Sequence, residues 1–304
     1  MLVTATGNMI REIAAADEMF TGDLEAYFSV GRSALRCINV SLMAARFQPV
    51  SIRTILDLPC GYGRVLRHLS EAFPDADITA CDLLRDGVDY CAQTFGASPL
   101  YSDENPANIA LEPNSFDLIW VGSLLTHLRA SRWLDFLKLF QRSLRFGGLL
   151  IFSAHGREAF RRTVQEPFNY GVGGRAKAVV LFGYERYGFG YANHASSKTY
   201  GHSLSRPDWV LRQLAKFPQL RVVHFAETAW DNHHDIYACR KEASEQSDSP
   251  WTFVKRKLQR YLRTPEPRSN RSKCATHGNG ALAFTTSVYS VNTLPHHQSF
   301  LGVG

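Results

Sequence analysis

Two kinds of apolar pattern alternate through the middle of the chain. The first is the short, nearly continuous run: Ile55-Leu56-Asp57-Leu58, Ile78-Thr79-Ala80-Cys81, Phe116-Asp117-Leu118-Ile119-Trp120-Val121 and Leu149-Leu150-Ile151-Phe152-Ser153. Runs of this length without polar alternation are the signature of strands buried on both faces of a parallel sheet. Pro99-Leu100-Tyr101-Ser102 is a weaker run of the same kind. The second pattern has helical spacing. It covers Val65, Leu66 and Leu69, then Asp86 to Phe95, then Arg132 to Leu144 with Trp133, Phe136, Leu137 and Phe140 on one side. Strand and helix in alternation predict a doubly wound α/β sheet with helices on both faces. Arg145-Phe146-Gly147-Gly148 is expected to be a turn. Upstream, residues 8–47 look helical, with Leu35, Ile38 and Leu42 on one face, and Thr21-Gly22-Asp23 and Gly31 suggest breaks before that helix.

The rhythm fails across 156–204, a stretch rich in Gly, Tyr, Phe and Arg that is too long for a plain connection. It is expected to be a lid over a second ligand. Regularity resumes with Ser205 as an N-cap and Pro207 in the first turn of a helix carrying Trp209, Leu211 and Leu214. Leu220 to Ala226 and Ile236 to Arg240 are a sixth and seventh strand. The nine residues between them are too few for a parallel crossover, so this last pair must be antiparallel. The organisation expected is an N-terminal helical cap over 1–50, a ligand-binding α/β domain over 51–241, and a linker, basic helix and disordered tail over 242–304.

Charge changes this picture only at the tail. The net charge is +6, but residues 251–273 hold eight basic side chains against Glu266 alone, and 274–304 hold no charge, so residues 1–250 are near neutral. A near-neutral body lacks the basic face of a nucleic-acid reader, which counts against a nucleic-acid substrate. Trp251, Val254, Leu258 and Tyr261 line one side of a short basic helix at 251–263. A solvated helix closing on the core is the favoured reading, and weak contact with an anionic membrane surface stays open. None of the six cysteines forms a C-x-x-C pair, and no ligand set with metal spacing is complete, so no metal is expected. Adjacent His233 and His234 with flanking Asp are set aside as ligands because neighbours on a strand face opposite ways. The first twenty residues lack the apolar segment of a signal peptide, and a cytoplasmic protein in a reducing compartment is the expectation.

The most chemically informative stretch is Asp57-Leu58-Pro59-Cys60-Gly61-Tyr62-Gly63-Arg64, between a strand and a helix expected to begin near Arg64. The two glycines let the backbone turn tightly and approach a ligand, and a helix N-terminus favours negative charge. Asp82 ends the next strand 25 positions beyond Asp57, where doubly wound folds place the carboxylate that accepts ribose hydroxyls. The pair implies a nucleoside cofactor over the C-terminal edge of the sheet. A dinucleotide fingerprint needs a third glycine at position 66, which is Leu66, so an oxidoreductase is the weaker alternative.

What remains resembles the first motif of class I S-adenosylmethionine-dependent methyltransferases, with Pro59 in place of that family's first glycine. Ser102-Asp103, Phe116 to Ser123, Phe146-Gly147-Gly148-Leu149 and the closing antiparallel strands are similar to later parts of the family pattern, in the same order over roughly 53–241. The resemblance implies a Rossmann-like seven-stranded sheet with its last strand antiparallel, and S-adenosylmethionine as cofactor. It implies that Asp57, Cys60, Gly61 and Gly63 surround the methionine portion, Asp82 holds the ribose, Leu83 and Asp103 flank the adenine, and Gly122-Ser123 lines the far side. Asp103 serves equally as a turn residue.

A methyl acceptor would enter at the same edge. His127, after the fourth strand, is the candidate general base; His155, Tyr200, His202, Trp230, Asn232 and His233 are candidates for acceptor contact. The acceptor expected is a small-molecule, sugar or lipid-linked hydroxyl, or another nucleophile. A member that binds cofactor without turnover is a further alternative.

Overall fold

The computed structural model describes residues 9–47, 51–165, 170–197, 199–243 and 257–260. The chain divides into two units, Met1–Glu245 and Gln246–Gly304. In the second, residues 257–260 are helical; the remainder of the expected basic helix and the tail lie outside the described residues.

The first unit is built on seven strands: β1 (Thr54–Asp57), β2 (Asp77–Asp82), β3 (Ser98–Tyr101), β4 (Phe116–Val121), β5 (Leu144–His155), β8 (Leu220–Trp230) and β9 (His234–Lys241). Their order is β3-β2-β1-β4-β5-β9-β8. All neighbours are parallel except β9, which runs against both β5 and β8. The doubly wound sheet with one antiparallel strand is therefore as the sequence implies. The order reverses between β1 and β4, the position where open α/β sheets hold ligands.

The central strands are buried on both faces, as their unbroken apolar runs require. On one face lie α1 (Leu24–Ala44), α2 (Leu66–Ala72) and α3 (Arg85–Phe95), contributing Leu35, Ile38, Leu66, Leu69 and Val88 to a core with Ile55, Leu118 and Trp120. On the other lie α4 (Ala130–Ser143) and α7 (Pro207–Leu214), with Trp133, Phe140 and Val210 against Leu56, Ile119 and Phe152. Between β5 and β8 the chain inserts α5 (Arg157–Val164), α6 (Gly174–Tyr187) and a hairpin, β6 (Phe189–Asn193) with β7 (Gly201–Ser205). Ala159, Val180, Tyr184 and Leu204 give this insertion a small core of its own.

Four local expectations are corrected. The helix is shorter than expected: residues 9–23 are not helical, and α1 starts after Asp23, whose side chain accepts from the Ala26 amide at 3.0 Å. Gly31 is not a break but lies inside α1, where a Cβ would collide with the His68 ring; it permits the close crossing of α1 and α2. Arg145 to Gly148 is not a turn between elements. It is a bulge inside β5, since Phe116 pairs with Leu144 and Leu118 with Leu149. Ser205 is a buried strand residue, and Arg206 caps α7, held by an ion pair to Asp208 at 2.9 Å.

Candidate active site

The glycine turn leaves β1 at Asp57. Gly61 and Gly63 take φ of +52° and +79°, values a side chain would resist. The turn is fastened to the end of β2: the Gly61 amide donates to Asp82 Oδ2 at 2.7 Å and the Cys60 amide to the Cys81 carbonyl at 3.0 Å. The Leu84 amide donates to the other Asp82 oxygen at 2.9 Å. Asp82 thus bridges the two loops. Each of its oxygens keeps a second lone pair for a further donor. Residues 61–65 are a turn, so α2 starts two residues later than expected.

Beneath this clasp lies Asp57, 1% exposed, with Oδ2 finding no partner in the protein. Burial first, and the nearby Asp82 charge second, push its carboxyl well above the usual range. Buried carboxylates are normally satisfied, so an orphaned one at a strand end reads as a group waiting for a donor. A Cβ placed on Gly61 meets nothing within 4 Å, so its outward face is open to a ligand. From behind, α3 closes in: a Cβ on Gly87 would sit 2.5 Å from the Gly61 carbonyl oxygen. Cys60 is buried in the core. Leu83 is exposed at the β2 exit. Asp103 Oδ1 accepts from the Asn105 amide at 2.7 Å and from Asn108 Nδ2 at 3.2 Å, so it serves at least as a turn residue.

On the far side, Gly122 and Ser123 leave β4. A Cβ on Gly122 would meet Trp120 and Trp230 within 3 Å. Trp230 belongs to the core rather than projecting into the rim: its indole nitrogen donates to the Val30 carbonyl at 3.1 Å and its ring meets Trp120 edge-on. The Ser123 amide donates to Ser153 Oγ at 2.8 Å.

His127 sits in the short 3-10 turn Leu125–His127, which Trp133 steadies by donating from Nε1 to the Leu125 carbonyl at 2.9 Å. Its Nδ1 lies 2.8 Å from the Gly201 carbonyl and must donate there. In the neutral ring Nε2 is then a free acceptor, 3.4 Å from Ser123 Oγ. Burial pushes this imidazole down to about 4. Tyr200 stacks on it at 4.4 Å between ring centres, and burial, helped by the Asp82 charge, pushes the Tyr200 hydroxyl up to about 12.

The four histidine-bearing segments converge. His155, at the end of β5, pairs across the ladder with His234 at the start of β9. His202 from β7 stands 5.0 Å from His155 between ring centres, and His233 stands 5.7 Å away. Tyr170 stacks on His202 at 4.6 Å. Asn232 is exposed, and its carbonyl accepts from Arg162 at 2.9 Å. His233 and His234 do not face opposite ways, because His233 belongs to the hairpin turn and their ring centres are 4.2 Å apart.

Two participants escaped sequence reasoning. Arg67 is 1% exposed and donates to the carbonyls of Gly63 at 3.0 Å, Ile10 at 3.2 Å and Glu12 at 2.7 Å, tying the N-terminal segment onto the glycine turn. Tyr170 joins the histidine group from a position with no motif, and His234, set aside as a ligand in the sequence, joins it beside His233. The hairpin tip reaches the β3 exit, where Thr199 Oγ1 donates to Glu104 at 3.0 Å.

Residues 55–148 match the model of a methyltransferase domain family. A malonyl-[acyl-carrier protein] O-methyltransferase from Bacillus cereus is 31% identical over 131 residues, which are 40% of this chain and 45% of that protein. The chain thus matches less than half the length of this curated relative. Among solved structures, a 1,6-didemethyltoxoflavin-N1-methyltransferase from Burkholderia thailandensis is 15% identical with a TM-score of 0.48, covering 77% of this chain and 94% of that one. An S-adenosylmethionine-dependent methyltransferase from Clostridium acetobutylicum is 14% identical with a TM-score of 0.47, covering 73% and 94%. Over residues 55–148, which hold the glycine turn clasped to Asp82, the chain is thus similar to a methyltransferase domain, set in the seven-stranded doubly wound sheet described above.

Proposed function

We propose that the protein transfers the methyl group of S-adenosylmethionine to an oxygen nucleophile of a small-molecule or glycan-type acceptor held beside His127. The observation that carries this reading is the Gly61–Asp82 contact of 2.7 Å above a buried Asp57 whose Oδ2 has no hydrogen-bond partner.

The cofactor brings a methyl group already activated on a sulfonium. Asp82 accepts the ribose hydroxyls on its remaining lone pairs, while its bonds to Gly61 and Leu84 keep both loops in register. Asp57 takes a donor from the amino-acid portion. The chain's main contribution is then alignment of an acceptor in line with the methyl group in a water-poor site, which supplies up to ~7–11 kcal/mol in favourable cases. His127, with Nδ1 held by Gly201, presents Nε2 to receive the acceptor proton. A base held near 4 is weak, which suits an acceptor whose proton is already acidic, such as a phenol or enol, better than a simple alcohol. Tyr200 and the His155–His202 group form the acceptor wall.

Calorimetric titration with S-adenosylhomocysteine and with NADH tests the cofactor half; release of S-adenosylhomocysteine across phenols, enols, sugars and glycolipids tests the acceptor half. Binding of S-adenosylhomocysteine alone, with turnover on at least one acidic hydroxyl, is expected. NADH binding without S-adenosylhomocysteine binding would overturn the proposal.

A further inference from the structure

The end of β5 and the β8–β9 turn bring together more imidazole nitrogen than the methyl-transfer chemistry uses. His155 and His234 face each other across the antiparallel ladder with ring centres 4.5 Å apart. His233 joins them because Asp231 and Asn232 take φ of +50° and +55°, which turns the chain back before β9 begins. One nitrogen from each of the three rings lies within 4.8 Å of the others.

Burial makes this grouping unusual. His155 is 3% exposed and His234 5%. Neither nitrogen of His155, nor Nδ1 of His234, has a hydrogen-bond partner in the protein. Buried polar nitrogens are bonded in the great majority of cases, and leaving one unpaired is unfavourable. A cation between the rings would satisfy them together. His233 is already oriented to bind one, because its Nδ1 donates to the Asp231 carbonyl at 2.6 Å and leaves Nε2 with its lone pair. Metal-binding histidines characteristically carry such a carbonyl on their second nitrogen.

We propose that His155, His233 and His234 bind a divalent first-row transition cation, with zinc-type rather than magnesium-type chemistry, at the rim of the cleft beside His127. The donor set decides the class: three imidazoles and no carboxylate suit zinc, cobalt, nickel or iron(II), while magnesium and calcium demand oxygen. Bonds of about 2.1 Å around a tetrahedral ion set donors ~3.4 Å apart, so modest ring rotations complete the site. Three protein ligands leave a coordination position open. His127 stands 6.5 Å from His155 between ring centres, so the site borders the acceptor wall. On the methyl-transfer reading above, on which this last step alone rests, the open position takes the acceptor oxygen and thereby favours a phenolate or enolate.

The test uses untagged full-length protein, stripped with a chelator and titrated with cobalt(II) in the absence of cofactor. The expected result is one equivalent of cobalt(II) with visible bands of low-symmetry, four- or five-coordinate geometry, displaced by zinc. His233→Ala, a change at a partly exposed turn residue, should weaken binding by more than ~100-fold, beyond the cost of losing a supporting partner. His155→Gln should do the same, while His224→Ala, away from the cluster, should bind as the parent does. Circular dichroism and S-adenosylhomocysteine affinity, both unchanged in His233→Ala, separate loss of the site from loss of the fold. Absence of stoichiometric cobalt binding, or equal binding by parent and His233→Ala, would overturn the proposal and leave a stacked imidazole cluster; the methyl-transfer reading would stand untouched.

Discussion

Gly87→Ala separates cofactor binding from stability. Gly87 lies in the first turn of α3, and a Cβ there would sit 2.5 Å from the Gly61 carbonyl oxygen and 2.9 Å from its carbon. Both are backbone atoms, so no side chain can swing aside. Reaching ordinary contact at 3.4 Å requires the glycine turn and the helix to part by about 0.9 Å. The Gly61 amide then moves from 2.7 Å to beyond hydrogen-bond reach of Asp82. A hydrogen bond to a charged group is worth about 1.5–3 kcal/mol, so S-adenosylhomocysteine should bind roughly 10- to 150-fold more weakly. Stability should fall by a net ~0–2 kcal/mol, somewhat less than the affinity. Overpacking costs about 1–3 kcal/mol, and replacing a helical glycine by alanine returns up to ~1 kcal/mol. Calorimetric titration for affinity and thermal unfolding for stability check the two halves. An affinity within threefold of the parent, in a folded variant, would refute the claim that the Gly61–Asp82 distance controls the site.

Three further outcomes are expected. Because Asp57 is held well above the usual carboxylate range, its charge destabilises the fold once pH exceeds the unfolded value near 3.8; Asp57→Asn should therefore raise the melting temperature at pH 7, not at pH 3, while weakening S-adenosylhomocysteine. His68 is buried between α1 and α2 and pushed down to about 4, so it stays neutral where the unfolded chain takes up a proton; stability should fall by about 2–3 kcal/mol from pH 6.5 toward 4, and a loss just as steep in His68→Gln would contradict the assignment. His127→Gln should lower kcat by about 100-fold, the lower end for general-base loss, with cofactor affinity unchanged; a decrease under threefold would show that it is not the base.

The glycine turn and its clasp, the proposed cofactor half of the cleft, were legible because backbone builds them. Asp57, Gly61, Gly63 and Asp82 sit within 25 residues of one another, and each is needed for a local reason: a tight turn, an open face, a carboxylate at a strand end. Such constraints leave a residue-by-residue trace. Long-range constraints do not. Gly31 looked like a helix break because nothing near it in sequence discloses the His68 ring that fills its missing side chain. Arg67 carries no local signal either, because the carbonyls of Ile10 and Glu12 that it bonds lie more than 50 residues away. The bulge in β5 was misread as a turn because Gly147 carries the same positive φ, +81°, in either structure.

The acceptor half was only partly legible, and the physical reason bears on how the two halves work. His127, His155, His202 and His233 were each recognisable as edge residues, but their convergence depends on β5, β7 and β9 meeting at one corner. Side chains from separate segments, not backbone, make up this wall. It meets the proposed cofactor half through few links: the Ser123 amide on Ser153, Ser123 Oγ near His127, Trp230 beneath Gly122, and Tyr200, which stacks on His127 and whose hydroxyl feels the Asp82 charge. Distant sites without shared partners contribute additively. Substitutions at His155, His202 or His233 should therefore alter which acceptor is used while leaving S-adenosylhomocysteine affinity nearly constant, whereas Tyr200→Ala should disturb both. Coupling between His202 and Asp82 in a double-mutant cycle as large as that between Tyr200 and Asp82 would show the cleft to be one unit instead of two.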